Sequence, residues 1–445
     1  MDDFLLLSQT QSTATKVPRS ALQAIDDVML PLAPHDSPSR KEPASVKKLL
    51  QGDAAWSTQK TILGWDIDTV AGTISLPPHR VDWLYALLDT VQPPRKRLSL
   101  RQWHQILGEL RSMAIALPGA CGLFSVLQDA LSHADRHRVR LNRHVFASIA
   151  DFRAIANSLH SRPTRLMELI PLTPSDVGAC DACRDGMGGI WFDALDLAAS
   201  PIVWRHPFPV TIQRDLITAE HRQGTISISD LELAGIIAHQ GLLAHHRHVH
   251  ERTLWISGDN RASLAWATKG SSTSTSVRAY LLRLSALHQR QHRYVARHHY
   301  IPGPVNAMAD DTSRLWHLSD AELLTHFNLH YPQRTSWIML PLPTELASSL
   351  IGALCRQQPS SAAALNAPGP RQPLGRSGRP SVPAWASAPT PWGPATPYLF
   401  SNCSPSATGP GSSPPAASLS NLGQWRTPYE AWGRRMPHWG PRTLV

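Results

Sequence analysis

Four acidic side chains lie in order along the middle of the chain, each in a setting from which it could bind a metal ion. Asp181 ends an apolar run, and Glu232 opens a helical stretch. Asp259 follows a strand-like run, and Asp310 lies in a last helical stretch. Carboxylates at strand ends and helix starts can converge on one point, where they must hold a cation or lose their charge. The sequence therefore predicts one metal site built from these four residues.

Oxygen ligands of this number suit hydrolysis assisted by two metal ions. Such a site needs several carboxylates around ions roughly 4 Å apart, one of which activates water while the other stabilises the leaving oxygen. Mg²⁺ favours a few carboxylates, retained waters and substrate phosphate over a closed protein cage. Four carboxylates from separate elements of secondary structure meet that requirement.

Each acid also has an ordinary structural explanation. Ser229 and Glu232 fit a helix capping box, in which the carboxylate only accepts from a backbone amide. Asp259 could form a turn after its strand, and Asp310 could begin a helix with a negative charge. Asp181 is hardest to explain in this way, because a carboxylate on an apolar strand is costly without a partner. Taken together, the four residues favour the metal site.

Bulk composition favours some classes of protein over others. The chain of 445 residues is long enough for two or three domains, and its net charge of +10 favours a polyanionic partner. Five cysteines are too few and too scattered for a disulfide framework, so a reducing compartment is expected. The amino terminus does not resemble a signal peptide, and no stretch approaches the roughly 18–20 apolar residues of a membrane span. We expect an intracellular protein, cytoplasmic or nuclear, without membrane contact.

Composition divides the chain into four zones. Residues 1–170 have a mostly helical pattern with one strand-like insert, and residues 171–316 alternate between strand and helix patterns. Residues 317–358 predict a short helical extension. Residues 359–445 are rich in Pro, Ser and Gly, and we predict disorder because such a segment buries too little apolar surface to offset its ordering entropy.

Hydrophobic periodicity predicts the elements within these zones. In the first zone it predicts helices over 81–91, 101–117 and 145–159, with Ser99 as a cap, and a hairpin formed by 61–68 and 72–76. In the second zone it predicts strands over 177–183, 189–193, 202–205, 253–257 and 294–301, and helices over 230–245, 276–288 and 307–315. Strands joined first by glycine turns and then by helices indicate a mixed sheet covered by helices.

Each of the four acids also lies in a motif with neighbours of defined type. The motifs are Asp181-Ala182-Cys183 with Gly188-Gly189, then Glu232-Leu233-x-Gly235, then Asp259-Asn260, and finally Pro302-Gly303-x-x-Asn306-x-x-Ala309-Asp310-x-x-Ser313-Arg314. The last is the most specific of them. Together they resemble the ribonuclease H domain of retroelement reverse transcriptases, of DIRS-like or related LTR-type elements, over residues 171–316.

The resemblance implies an α/β fold with a ribonuclease H-like mixed sheet flanked by helices. It also implies that the four acids bind two Mg²⁺ or Mn²⁺ ions, bridged by Asp181, and that the site cuts the RNA strand of an RNA–DNA hybrid. Asn260, Asn306 and Arg314 lie next to the acids and are predicted to contact nucleic acid. The chain departs from many ribonucleases H in having no histidine in the loop 301–306, just before the last acid, so product release could be slower.

The amino-terminal zone resembles a partial palm, thumb and connection of a reverse transcriptase. Asp2 and Asp3 match the end of the aromatic-x-Asp-Asp palm motif, without its leading aromatic residue. On this interpretation they are a vestigial polymerase metal site whose further carboxylate is missing, so we expect no polymerase activity. The expected partners then include a missing polymerase portion or another element-encoded protein.

A basic run in the same zone has two explanations. Arg95, Lys96 and Arg97 could contact a nucleic-acid backbone, or they could form a solvated basic loop. Two alternatives to the nuclease also stay open for the whole chain. It could bind nucleic acid without cutting it, or it could be a non-functional relic of a transposable element.

Overall fold

The computed structural model describes residues 16–29, 56–271 and 276–357. The predicted polymerase site at Asp2 and Asp3 and the predicted disordered segment 359–445 lie outside the described residues. Among the described residues, the strands form one sheet of six strands, one of four and one of two.

The amino-terminal region consists of helices interleaved with short strands. Its elements in chain order are α1 (Lys16–Met29), β1 (Gln59–Ile62), β2 (Trp65–Asp68), β3 (Thr73–Ser75), α2 (Pro78–Asp89), β4 (Arg97–Ser99), α3 (Leu100–Ala114), α4 (Ser125–Ser132), β5 (Arg138–Arg140), α5 (Arg143–Ser161) and β6 (Thr164–Arg165). The predicted cap is confirmed, because the Ser99 hydroxyl accepts from the backbone amide of Gln102. Asn142 caps α5 in the same way.

The predicted strand 61–68 is wrong in one respect, because a tight turn divides it. Leu63 and Gly64 have positive φ angles of 50° and 78°, and Ile62 pairs with Trp65 across the turn. The three strands β1, β2 and β3 therefore form an antiparallel meander, and β6 joins its edge beside β3. Two residues in the left-handed conformation reverse the chain without interrupting the apolar pattern, so periodicity does not show the turn.

The second region is built on the six-stranded sheet. Its elements are β7 (Asp176–Ala182), β8 (Gly186–Asp193), β9 (Ile202–Pro207), α6 (Val210–Arg214), α7 (Ile228–His246), β10 (Thr253–Gly258), α8 (Arg261–Lys269), α9 (Val277–His292), β11 (Val295–Tyr300), α10 (Ala307–Arg314), α11 (Asp320–His330), β12 (Ile338–Met339) and α12 (Thr344–Leu354). The sheet order is β11-β10-β7-β8-β9-β12. Strands β7, β8 and β9 are antiparallel neighbours, whereas β10 is parallel to β7 and to β11, and β12 is parallel to β9.

The mixed sheet flanked by helices is confirmed, with two additions. Helices α6 and α8 were not predicted, because each is short and follows a strand almost at once. The predicted helical extension 317–358 also contains β12, which adds a sixth strand to the sheet beside β9. A strand of two residues is too short to show alternation in the sequence.

Helices cover the sheet on both faces. One face packs against α7, α9 and α12, around buried residues that include Trp191, Trp204 and Leu242. The other face packs against α10 and α11, around residues that include Phe192 and Phe327. A separate core holds the amino-terminal region together.

Helix α9 joins the two regions. Its residues Ala286 and Leu287 belong to the amino-terminal core, while earlier residues of the helix pack on the sheet. The guanidinium of Arg283 donates to both carboxylate oxygens of Asp151 on α5, at 2.6 and 2.7 Å, and both side chains are almost fully buried. Removing one partner of such a buried pair costs roughly 3–5 kcal/mol, because it leaves an unpaired buried charge. The two cores therefore share α9, which lies beyond the boundary predicted near residue 170.

Close packing at one glycine of β7 gives a first prediction. A Cβ atom on Gly178 would lie 2.5 Å from the Nε2 atom of His239 and 2.5 Å from the carbonyl oxygen of Ile190. We expect Gly178→Ala to lower the free energy of unfolding by about 1–3 kcal/mol through overpacking, measured by denaturant melts. Gly108→Ala on α3 is the matched control, since nothing lies within 4 Å of its Cβ position. The control should gain about 0.5–1 kcal/mol from helix propensity, and equal stability of the two variants would contradict the close packing of β7.

Buried histidines give a second prediction. Burial lowers the pKa of His292 from 6.5 to about 4, and charges on His250, His245 and Arg162 add to the effect. Because the folded protein favours neutral His292, this side chain contributes to the free energy of unfolding at pH values above 6.5, its ordinary pKa. The contribution is lost as the pH falls from 6.5 towards about 4, its pKa in the folded protein. Between pH 6.5 and about 4, the free energy of unfolding should therefore fall by roughly 2–3 kcal/mol less in His292→Gln than in the wild-type protein.

Thermal melts across this pH range are the measurement, with exposed His104→Gln as the control. Identical pH profiles for the wild-type protein and His292→Gln would show that His292 is not buried in its neutral form.

Candidate metal centre

The parallel strands β7 and β10 bring Asp181 and Asp259 to the same edge of the sheet. Their register pairs Ala179 with Ser257, so the residues two positions further on, Asp181 and Asp259, are level with each other. Asp181 is the last residue but one of β7, and Asp259 directly follows β10. The carboxyl ends of adjacent parallel strands meet at one edge, and this places both carboxylates there.

Helix α7 delivers Glu232 to the same point. The helix begins after Ser227, whose side chain forms a capping box with Asp230. The capping box expected from Ser229 and Glu232 is therefore wrong, because the helix begins two residues earlier. Glu232 lies within the helix, is 7% exposed, and accepts a hydrogen bond from the backbone of Ala182 at the end of β7.

Three of the four predicted acids form one compact group. Each of Asp181, Glu232 and Asp259 offers an oxygen atom that lies within 4.8 Å of the others. Asp181 is only 2% exposed, and Asp259 is half-buried. Carboxylate oxygens at these distances can share a divalent cation, so the three residues form a group that could hold a metal ion.

The group carries an electrostatic cost that a cation would remove. The pKa of Asp181 is raised to about 6, first by burial and then by the charges of Asp259 and Asp310, while the hydrogen bond from Ser313 lowers it. Burial and then the two neighbouring acids raise the pKa of Glu232 well above its ordinary value. Burial also raises the pKa of Asp259, with Asp310 adding to it. All three carboxylates can be ionised together at neutral pH only when positive charge compensates them.

The fourth acid lies beside this group. Asp310 is on α10, and its charge raises the pKa values of Asp181 and Asp259, which places it nearby. Its Oδ1 atom accepts from the Nε atom of Arg314 at 2.5 Å, and the side chain is partly exposed. Among the described residues, the compact group therefore has three members, and the fourth predicted acid is paired with an arginine next to it.

The residues predicted to contact nucleic acid near the acids have structural partners. Asn260 caps α8, since its side-chain oxygen accepts from two backbone amides of the first turn. Asn306 is 1% exposed and donates to the carbonyl oxygen of Cys180, so it lies in the protein interior. Arg314 is exposed and pairs with Asp310. Of the three, Arg314 lies where a solvent-borne ligand could reach it.

The basic run lies elsewhere in the fold. Arg95, Lys96 and Arg97 are all exposed, and Arg97 is the first residue of β4 in the amino-terminal region. Arg97 thus lies on the two-stranded sheet, with Arg95 and Lys96 directly before it, and none of the four acids is on that sheet.

Two residues that support the site were not predicted as part of it. The Ser313 hydroxyl donates to Oδ2 of Asp181 at 2.5 Å, which holds that carboxylate in place. Gly303 leaves room for Asp259, because a Cβ atom there would lie 3.2 Å from its Oδ2 atom. Both residues belong to the most specific motif of the chain, but only the fold shows which acid each one faces.

Comparisons with known proteins give a distant structural similarity. No family model and no curated protein matches the chain. A solved structure of a foamy viral protease-reverse transcriptase in complex with an RNA/DNA hybrid is 13% identical, with a TM-score of 0.23 over 55% of this chain and 29% of that one. Two further structures of this foamy viral protein, one termed dRH and both in complex with double-stranded DNA, have identities of 13% and 14% and TM-scores of 0.22 and 0.23.

Coverage in these two comparisons is 55% and 56% of this chain and 38% and 45% of the other. The chain thus spans less than half the length of each of these three structures. Within the described ranges, no helix combines the length and the apolar character needed to cross a membrane.

A third prediction concerns Asp181 and has opposite signs with and without metal. The pKa of Asp181 is raised from 3.8 to about 6 in the folded protein. Its contribution to the free energy of unfolding is therefore fully present below pH 3.8 and is lost as the pH rises through about 6. We expect Asp181→Asn to raise the melting temperature of the metal-free protein at neutral pH, because it removes a buried charge. The same variant should bind Mn²⁺ at least about 10-fold more weakly, because it loses a ligand oxygen.

Thermal melts in EDTA and calorimetric Mn²⁺ titrations measure the two effects. Exposed Asp82→Asn is the control and should change neither quantity. Unchanged Mn²⁺ affinity in Asp181→Asn would show that this carboxylate is not a ligand.

Proposed function

We propose that the chain is a ribonuclease H-type nuclease that cuts the RNA strand of an RNA–DNA hybrid with the help of two Mg²⁺ or Mn²⁺ ions. The observation that carries the proposal is the convergence of Asp181, Glu232 and Asp259 within 4.8 Å of one another at one edge of the sheet. Burial raises the pKa values of all three carboxyls, which fits a site that is completed by cations. The proposal includes an intracellular location, cytoplasmic or nuclear.

The strand order supports the same proposal. Strands β9, β8 and β7 are antiparallel neighbours, and β10 and β11 extend the other side of β7 in parallel. This is the mixed sheet that the motif resemblance to ribonuclease H implies. The acids of β7 and β10 lie at adjacent strand ends, while Glu232 comes from the helix that packs across them.

In the proposed mechanism, the carboxylates of the site would bind the ions, and neighbouring residues would hold these carboxylates in position. Bound divalent ions would supply an activated water and stabilise the leaving oxygen of a phosphodiester. By the motif resemblance Asp181 would contact both ions, and the hydrogen bond from Ser313 would hold its carboxylate in position. Asp310 would join as a further ligand once its bond to Arg314 is exchanged, and this would free the guanidinium to bind a phosphate. Preference for the RNA strand is taken from the motif resemblance alone.

One observation favours a second candidate function, which is binding of nucleic acid without cleavage. The Nε atom of Arg314 donates to Oδ1 of Asp310 at 2.5 Å. If this ion pair persisted, Asp310 would not bind metal and the site would have only three carboxylate ligands. The net charge of +10 would still favour a phosphate backbone. The two candidates differ in whether a metal-dependent product appears.

A fourth prediction tests the nuclease directly. The full chain should cut the labelled RNA strand of an RNA–DNA hybrid in Mg²⁺ or Mn²⁺, and EDTA should abolish the reaction. Asp259→Asn should cut more than about 100-fold more slowly, because it loses a metal ligand. Exposed Asp82→Asn should cut at the wild-type rate. Equal rates for Asp259→Asn and the wild-type protein would refute the assignment, and salt-sensitive binding without any product would favour the second candidate.

A further inference from the structure

The smallest sheet of the protein presents a row of arginines on one face. Strands β4 and β5 are antiparallel, and their register pairs Arg97 with Arg140, Leu98 with Val139, and Ser99 with Arg138. Leu98 and Val139 are buried in the amino-terminal core.

Side chains alternate between the two faces of a strand, so the partners on either side of that buried pair point outwards. These outward residues are all exposed: Arg97, Ser99, Arg138 and Arg140. Three of the four outward positions of this sheet, which we call the basic ribbon, are therefore arginines.

The basic ribbon places like charges directly across from each other. Arg97 and Arg140 are cross-strand partners, and the Cβ atoms of such partners are about 4.5–5.5 Å apart. Like charges in this position are destabilising. Among the described residues, no carboxylate forms an ion pair with Arg97, Arg138 or Arg140. The fold thus keeps a concentration of positive charge that its own described acids do not neutralise.

Three basic side chains next to the basic ribbon, those of Arg95, Lys96 and Arg136, add to this charge. Arg95 and Lys96 precede β4 and are exposed, and Arg136 and His137 form the exposed turn that leads into β5. Arg136 and His137 have φ angles of 46° and 63°, a conformation that glycine or asparagine adopts at lower cost. Asp135 and Arg138 pair across these two residues, and such a two-residue turn requires positive φ at both central positions. The turn therefore places an exposed arginine beside the basic ribbon.

We infer that the basic ribbon binds the phosphate backbone of a nucleic-acid duplex. The inference rests on the proposed function only in naming that duplex as the RNA–DNA hybrid. Arginine matches phosphate oxygens with two parallel donors. Contacts to phosphates carry no sequence information directly, so we expect this binding to be independent of sequence. The buried Leu98 and Val139 hold this face rigidly on the amino-terminal core.

The test measures hybrid affinity as a function of salt in the full chain, in EDTA so that nothing is cut. The ribbon variant carries Arg97→Ala, Arg138→Ala and Arg140→Ala. The charge-matched control carries Arg111→Ala, Arg222→Ala and Arg334→Ala, three exposed arginines outside the basic ribbon. Anisotropy of a labelled RNA–DNA hybrid gives affinity between about 50 and 200 mM salt.

We expect the ribbon variant to bind roughly 10–100-fold more weakly at about 0.1 M salt than the wild-type protein, and its slope of log affinity against log salt to be shallower by about 2–3. The control variant should lose far less. The ribbon variant should also melt no lower than the wild-type protein, because it loses a like-charge pair. A purely structural role for these arginines would instead lower the melting temperature and leave the salt slope unchanged.

Several results would overturn the inference. Equal hybrid affinities of the ribbon and control variants in EDTA would overturn it, even if the wild-type protein cuts the hybrid in the separate nuclease assay. Binding of the wild-type protein to vesicles with anionic headgroups, without hybrid binding, would assign the basic ribbon to a membrane surface. The nuclease assay gives a separate result: if the basic ribbon binds hybrid but no product appears in Mn²⁺, the inferred surface is upheld and the proposed nuclease fails.

Discussion

Repulsion between buried carboxylates is the constraint on which the proposed site depends. Asp181, Glu232 and Asp259 lie within 4.8 Å of one another, and burial raises the pKa of each. Folding brings these groups together although each would be better solvated apart, so the packing around them must outweigh the repulsion. The same cost becomes a gain when divalent cations bind, because cations take the place of lost water and of protons. Stability and metal affinity are therefore opposed at one position, Asp181.

The architecture concentrates this constraint at one edge of the sheet. Strand pairing makes Asp181 and Asp259 level, and α7 packs across the sheet to add Glu232. Helix α10 adds Asp310 together with Arg314, and their ion pair keeps the fourth charge balanced. Ser313 on the same helix fixes Asp181. One helix thus supplies a charge, its counter-charge and a hydrogen bond to the neighbouring acid.

The basic ribbon lies on other elements of the fold than the acids. The basic ribbon lies on the amino-terminal core, and α9 connects that core to the sheet through its packing and through the buried pair of Arg283 and Asp151. If the acidic group is a nuclease site as proposed, its connection to a charged surface would suit a long polyanionic substrate, because phosphate contacts add affinity without specifying sequence. In the proposed function, one region would hold the duplex while the other cuts it.

The sequence by itself determined which residue types could do chemistry and which segments could be helices or strands. Apolar periodicity predicted β7 to β11, α7 and α9 to within a few residues, because each buries one face or lies wholly inside. It missed the short elements β4, β5, β6, β12, α4, α6 and α8, because a few residues carry too little pattern. The tertiary structure alone decided which acids meet, that Asn306 is interior, and that Arg97 faces Arg140. These facts depend on strand register and helix packing, which join residues far apart in the chain and leave no local signal.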